Sequence, residues 1–283
     1  MHKNKLFYEK TIEIKGKLLG GQEPMVMGIV NLTPDSFFEG SRKQTENEIL
    51  STVCKMEQEG VDILDLGAYS SRPNAEHISE EEEWNRLAWV IPTIKKDFPN
   101  LILSVDTFRA RIAEKALIAG VDIINDISAG NLDEHMYSVI SKYPCTYVMM
   151  HMRGTPQTMQ SLINYENLLG EMNTYFEEKI NTLNSLGVHN IIIDPGFGFA
   201  KNTQQNFELL NRCNELLSLN HPLLIGISRK SMIYKTLNVG PEDALNGTSA
   251  LNMIALERGA NILRVHDVKE AKECISLWKQ LNK

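Results

Sequence analysis

The sequence predicts an α/β fold of the (β/α)8 TIM barrel class, and three observations carry that prediction. Short apolar runs recur eight times, amphipathic stretches fill the gaps between them, and the runs end in polar residues. Near-continuous apolar strands alternating with helices imply parallel βαβ units buried on both faces. Eight such units close most naturally as a barrel, with a doubly wound sheet as the alternative.

The runs are MVMGIV (25 to 30), VDILDL (61 to 66), LILSV (101 to 105), VDIIN (121 to 125), TYVMM (146 to 150), NIIID (190 to 194), LLIGI (223 to 227) and ILRV (262 to 265). Helix starts are signalled by Thr45 with Glu48 and by Ser79 with Glu82, both spaced as capping boxes. Residues 6 to 20 precede the pattern and are expected to form a short hairpin covering one barrel end.

At 283 residues, the chain fits one barrel, so a single domain over 1 to 283 is expected. Hydrophobic residues at 42% and charged residues at 23% are ordinary for a globular chain. A net charge of −7 argues against nucleic acid or an anionic membrane as the main partner, so any bound anion must meet locally placed cations. Cys54, Cys145, Cys213 and Cys274 are scattered without a CxxC pair, which suits a reducing cytoplasm, and they read as small core hydrophobes. The first residues, MHKNKLFYEK, lack a signal-peptide core, and no run reaches the length of a membrane span. A cytoplasmic location is expected.

Active sites in such barrels form where the carboxyl ends of the strands meet their loops. Those ends offer Asn31, Asp65, Asp106, Asn125 with Asp126, His151, Asp194, the run Ser228-Arg229-Lys230-Ser231, and Arg264 with His266. One such residue is usually a turn or a cap; eight ends converging on one mouth are a site. Asp106 and Asp194 accept hydrogen bonds, and Asn125 both accepts and donates, so together they can read the edge of a 2-amino-4-oxo-pyrimidine ring, as in a pterin or guanine. Arg72, Lys230, Arg264 and His266 can hold an anion, and a phosphorylated heterocycle fits both halves. Gly196 and Gly198 permit close backbone approach, but no GK[ST] follows, which excludes a P-loop; Phe197 and Phe199 can stack on a flat partner. The loops NLTPDSFFEGSRK and GAYSSRPNAEH exceed what a barrel needs and have the composition of active-site lids.

Taken in order, GIVNLTPDSF, SSRPNA, SVDT, INDISA, MHMRGTPQTMQ, DPGFGFAK, GISRKS and RVHD resemble the dihydropteroate synthase family through nearly the whole chain. That resemblance implies a (β/α)8 transferase of folate synthesis. It condenses 6-hydroxymethyl-7,8-dihydropterin diphosphate with p-aminobenzoate and is inhibited by sulfonamides. It further implies that Asp106, Asn125, Asp194 and Lys230 grip the pterin, while Ser71, Arg72, Pro73, Phe199, Lys230 and Ser231 form the p-aminobenzoate pocket. Diphosphate is expected at Asn31, Arg72, Arg264 and His266, with Mg²⁺ bridging Asn31 and the phosphate oxygens, and a homodimer is implied; the apolar stretch SALNMIALERG (249 to 259) offers one surface for it, with ordinary packing of a helix on the barrel as the alternative for most of its residues. Where the family commonly carries a GGESTRPGA-like loop, this chain has GAYSSRPNA; Ser71 keeps the hydroxyl and Tyr69 departs from the pattern.

The expected mechanism is SN1-like. Diphosphate leaves, Asp35 and the strand-end carboxylates stabilise the pterin cation, and the aniline nitrogen attacks, with Asp35, Lys230 and Arg264 as the catalytic set. Two other readings remain open at this stage: a barrel presenting methyltetrahydrofolate to a corrinoid methyltransferase, and a non-catalytic pterin carrier.

Overall fold

The computed structural model describes residues 10–20, 23–32, 42–70 and 77–283. The eight apolar runs form eight parallel strands, β3 (Met25–Asn31), β4 (Ile63–Gly67), β5 (Ile102–Asp106), β6 (Ile123–Asp126), β7 (Thr146–Met150), β8 (Ile191–Asp194), β9 (Leu224–Ile225) and β10 (Ile262–Val265). Their order is β8-β7-β6-β5-β4-β3-β10-β9, and a parallel bridge between Ile193 and Leu223 joins the two ends, closing the barrel.

Helices α1 (Arg42–Gln58), α2 (Glu80–Asp97), α3 (Ala110–Ile118), α4 (Met136–Ile140), α5 (Leu168–Ser185), α6 (Thr203–Arg212), α7 (Ser231–Leu237), α8 (Leu245–Glu257) and α9 (Val268–Leu281) fall between and after the strands. The Ser79 hydroxyl caps α2 by accepting from the Glu82 amide at 3.1 Å. Glu82 itself turns to Arg86 at 2.9 Å. Thr45 does not open its helix: α1 already runs from Arg42, so the capping signal there marks an interior position. Of the cysteines, Cys213 and Cys274 are buried as expected, whereas Cys54 and Cys145 are only half-buried; all four are free thiols.

Strand periodicity sorts the residues into two populations. One set, including Leu64, Leu66, Leu103, Val105, Ile124, Tyr147 and Ile193, packs outward on the helices. The alternate set, Met25, Met27, Ile63, Ile102, Ile123, Val148, Ile192, Leu224 and Ile262, fills the barrel interior as an apolar plug. Two positions further along β4, β5, β6, β8 and β10, the inward face turns polar.

The other end is sealed by the expected hairpin, β1 (Thr11–Ile14) paired antiparallel to β2 (Lys17–Gly20); residues 6 to 9 of the anticipated span lie outside the described residues. Ile12 and Ile14 join the interior plug. The Lys15 ammonium donates to the Leu101 carbonyl at 2.7 Å and pairs with Asp122 at 3.2 Å. Both partners precede their strands, so the hairpin covers the barrel face opposite the polar strand ends.

Candidate active site at the strand carboxyl ends

A step of two from the apolar layer turns Ile63 into Asp65, Ile102 into Ser104 and then Asp106, Ile123 into Asn125, Ile192 into Asp194, and Ile262 into Arg264. Register places these side by side: Asp65 is level with Ser104, and Asp106 with Asn125. Rigid strands thus set a layer of polar side chains directly above an apolar floor.

Asp65 is the hub of that layer and is wholly inaccessible to solvent. It accepts from the Ser104 hydroxyl at 2.6 Å, Asn125 Nδ2 at 3.0 Å and Arg264 Nε at 2.7 Å. Arg264 Nη2 donates to Asp106 at 2.8 Å as well. Among the described residues, Arg264 Nη1 makes no hydrogen bond. The sequence marked Asp65 as a strand end but gave it no role; its partners lie far off in the chain, and no local signal names them.

The electrostatics follow from burial. Desolvation pushes the Asp106 carboxyl up to about 7, opposed by Arg264 and reinforced by Asp65. Burial likewise raises Asp194, against the attraction of Lys230 and an amide hydrogen bond from Gly196 at 2.8 Å. Burial lowers Lys230 to about 8, opposed by Asp194. For Arg264 burial acts downward, yet Asp65 and Asp106 outweigh it and hold the guanidinium charged. Perturbed carboxylates and amines gathered in one mouth are the electrostatic signature of a functional site.

Beyond β8, the chain turns through Pro195 to Ala200 with Gly196 at φ +71°, Gly198 at +83° and Ala200 at +48°. Glycine is required at 196, because a Cβ there would stand 2.1 Å from the His151 carbonyl oxygen. The Lys230 ammonium donates to the Phe197 carbonyl and lies 5.1 Å from the centre of the Phe199 ring. Phe197 is fully buried against the helices, so only the half-buried Phe199 can stack on a ligand.

Neighbouring residues of the candidate set point in different directions. Asp126 faces outward, where it accepts from Tyr147 and Ser128 hydroxyls, each at 2.7 Å, and from the Gly130 amide. Arg229, at φ +53°, turns away from the mouth and grips Asp267 through Nε and Nη2, both at 2.8 Å. The Ser228 hydroxyl meets His266 Nδ1 at 3.0 Å and ties the end of β9 to that of β10. Ser231 opens α7, half-buried beside Lys230. Asp35, Ser71, Arg72 and Pro73 lie outside the described residues. On either side of the last three, Tyr69 and His77 meet edge to face, the tyrosine hydroxyl 3.1 Å from Nδ1. Arg109 stacks on Tyr69 and is anchored to the buried Glu83 at 2.6 Å, which is how this chain packs the base of the second loop.

Asn31 ends β3, exposed, with its side-chain oxygen against Gly67 of β4. Among the described residues, no group of three or more His, Cys, Asp or Glu side chains is arranged to hold a metal. One neutral oxygen at an open strand end does fit Mg²⁺, which keeps several waters and takes its remaining ligands from substrate phosphate.

The closed eight-stranded barrel with a polar layer at its carboxyl face belongs to a class of pterin-binding barrel enzymes: a family model described as "Pterin binding enzyme" matches residues 27–266. The chain is 40% identical over 266 residues to the dihydropteroate synthase of Synechocystis sp., covering 92% of each. It is 39% identical over 263 residues to that of Escherichia coli, covering 92% of this chain and 93% of the relative. The Yersinia pestis dihydropteroate synthase, solved with a sulfonamide drug complex, superposes with a TM-score of 0.89 at 35% identity, over 96% of this chain and 98% of that one. The Thermus thermophilus dihydropteroate synthase in complex with 4-aminobenzoate gives 0.84 at 34% identity, over 96% and 100%. The chain belongs to the dihydropteroate synthase family.

Proposed function

We propose that this chain condenses 6-hydroxymethyl-7,8-dihydropterin diphosphate with p-aminobenzoate to give 7,8-dihydropteroate and diphosphate, a transferase reaction of folate synthesis. The observation carrying this reading is the inward polar layer of Asp65, Asp106, Asn125, Asp194, Arg264 and Lys230 over a sealed apolar floor, in a chain whose relatives are synthases. Those relatives favour the synthase over the methyltransferase and the carrier.

In the reading favoured here, Asp106 and Asp194 accept from the pterin N–H groups, while Asn125 and Lys230 complete the grip. Arg264, neutralised on one side by two carboxylates, turns its remaining edge and His266 toward the diphosphate, with Arg72 joining from the second loop. Asn31 would hold Mg²⁺, which when bound neutralises leaving-group charge. The C–O bond at the exocyclic methylene breaks, the electron pair leaves with diphosphate, and Asp35 with the buried carboxylates stabilises the cation. The aniline nitrogen then forms the C–N bond and loses its proton to diphosphate or solvent. Phe199, Ser231, Ser71 and Pro73 shape the pocket that presents that nitrogen.

No described helix is long and apolar enough to cross a membrane, and the free thiols suit a reducing compartment, which supports a cytoplasmic setting. The exposed Ile254 on α8 and Leu237 on α7 support a homodimer surface. The deciding experiment mixes the protein with both substrates, with and without Mg²⁺. Equal formation of dihydropteroate and diphosphate supports the reading, and a folded protein that binds the pterin but releases neither product refutes it.

A further inference from the structure

Lys201 follows the glycine-phenylalanine turn and is 3% exposed, yet among the described residues no carboxylate lies within 4.0 Å of its ammonium. A buried lysine without a contact ion pair is costly unless every N–H is satisfied. Here it is satisfied: Nζ lies 3.1 Å from the Gly196 carbonyl, 3.0 Å from the Phe199 carbonyl and 3.1 Å from His151 Nδ1. Three acceptors meet the three donors of an ammonium. A methionine would fill the same space without desolvating a charge, so packing alone does not account for lysine.

We propose that Lys201 is a positioning residue that ties the turn after β8 to the end of β7, and so sets Phe199 for the second substrate. The turn is held from two sides. On its inner side, Lys201 gathers the carbonyls of Gly196 and Phe199 onto the His151 ring. On its outer side, Lys230 takes the intervening Phe197 carbonyl and lies over the Phe199 ring. Close packing of Gly196 on the His151 carbonyl leaves the turn no slack toward β7. Loss of the inner tie lets the Phe199 backbone rotate, and its ring moves with it, while Lys230 keeps its own hold on the Phe197 carbonyl.

The tie also tolerates loss of a proton. Burial lowers the Lys201 ammonium to about 7, opposed by Asp194, and holds His151 neutral, with Lys201 and Arg153 adding to that effect. As an ammonium, Lys201 donates to Nδ1 of His151; as an amine, it accepts from an Nδ1–H tautomer. Either way three bonds persist, so the geometry of the turn is insensitive to pH while Asp194 and Lys230 titrate nearby.

The inference rests on the synthase reading, and its test separates the two. Steady-state kinetics for both substrates and calorimetric binding of the pterin diphosphate alone are measured for the full chain and for Lys201→Met, Lys201→Gln and His151→Asn, each checked by thermal melting. A sub-ångström to ångström shift of a positioning shell costs about tenfold to a hundredfold. Lys201→Met is therefore expected to raise KM for p-aminobenzoate about tenfold, with pterin affinity within about threefold of the parent. Lys201→Gln, which keeps two N–H donors, recovers part of that loss, and His151→Asn, which removes one contact, gives a smaller loss in the same direction. If Lys201→Met does not fold, His151→Asn carries the test. A folded variant with unchanged KM for p-aminobenzoate, or an equal loss for both substrates, overturns the inference. A wild-type protein that makes no dihydropteroate overturns the reading beneath it.

Discussion

Arg264 Nε donates to Asp65 Oδ2 at 2.7 Å past the intervening strand β3, joining residues 199 positions apart. The same guanidinium reaches Asp106, so one cation stands between two carboxylates, of which Asp65 is wholly buried. Removing one member of a buried pair leaves the other charge uncompensated, which typically costs about 3–5 kcal/mol. Asp65→Ala is therefore expected to destabilise the fold by about that amount and to abolish turnover, because Asn125 and Arg264 lose their common anchor. Asp65→Asn, which still accepts from Ser104, should be milder. Urea unfolding decides it: a loss below about 1 kcal/mol for Asp65→Ala would show the hub to be dispensable.

If Asp106 grips the pterin as proposed, binding is expected to depend on pH. With its carboxyl at about 7, it is protonated below that pH and loses acceptor capacity for ring N–H groups. Lys230, at about 8, loses its charge above that value. Pterin affinity should therefore peak between about 7 and about 8 and fall on the acid side, and Asp106→Asn should remove the part of the acid limb that Asp106 carries, leaving the share of Asp194. Stability moves oppositely. The folded chain binds a proton at Asp106 that the unfolded chain, with the ordinary value of 3.8, has released. This group's stabilising contribution is thus full below the unfolded value and is lost as pH rises toward about 7. Calorimetric titrations from pH 5.5 to 9 check the binding profile; a flat acid limb in the wild type would remove Asp106 from the grip.

How much of this was legible follows from the physics of each element. Parallel strands announce themselves through unbroken apolar runs, so TYVMM and ILRV coincide with β7 and β10 and the others lie within a few residues. LLIGI is the exception: only Leu224–Ile225 is a strand, because the chain leaves the sheet toward Arg229 at positive φ. Inward-facing site candidates were legible because period two places Asp106, Asn125, Asp194 and Arg264 above apolar neighbours. The parts that escaped are long-range. Nothing near Asp65 in sequence names Arg264, and nothing near Lys201 names His151, fifty residues away, as its partner. Local spacing also misled at Thr45, where a capping signal falls inside α1.

The turn after β8 separates steric from conformational strain. Gly196 and Gly198 both have positive φ, but a Cβ at 196 meets the His151 carbonyl at 2.1 Å, whereas at 198 its nearest contact is Lys230 Cδ at 3.5 Å. Gly198→Ala is expected to cost about 1 kcal/mol from backbone strain alone. Gly196→Ala adds a clash with an atom that cannot yield and should cost at least about 3 kcal/mol. Equal melting temperatures for the two variants would contradict this geometry.

The hairpin should matter for stability and not for chemistry. Ile12 is 3% exposed and belongs to the plug, on the face opposite the site. Truncation to alanine leaves a cavity beneath the barrel, so Ile12→Ala is expected to lose about 2–4 kcal/mol while both KM values stay within about twofold. Parallel unfolding curves and kinetics test the separation, and a KM shift without a stability loss would place the hairpin in the wrong role.

Sulfonamides should compete with p-aminobenzoate. The half-buried Phe199 ring offers a face for an aniline ring, and Lys230 stands 5.1 Å from its centre, placed to attract an acidic group on the far side of that ring. A sulfonamide presents the same flat aniline with a negative sulfonyl-amide end, so it is expected to meet the same face and the same charge. GISRKSM shows no insertion that would displace Lys230 or Ser231 from that pocket. Increasing drug is therefore expected to raise the apparent KM for p-aminobenzoate linearly with maximal velocity unchanged. Phe199→Ala should weaken drug and substrate together, by about tenfold each for loss of one stacked aromatic. Uninhibited turnover at a drug concentration well above that of p-aminobenzoate would refute the shared pocket, and a variant that lost only drug binding would show that the two rings sit on different faces.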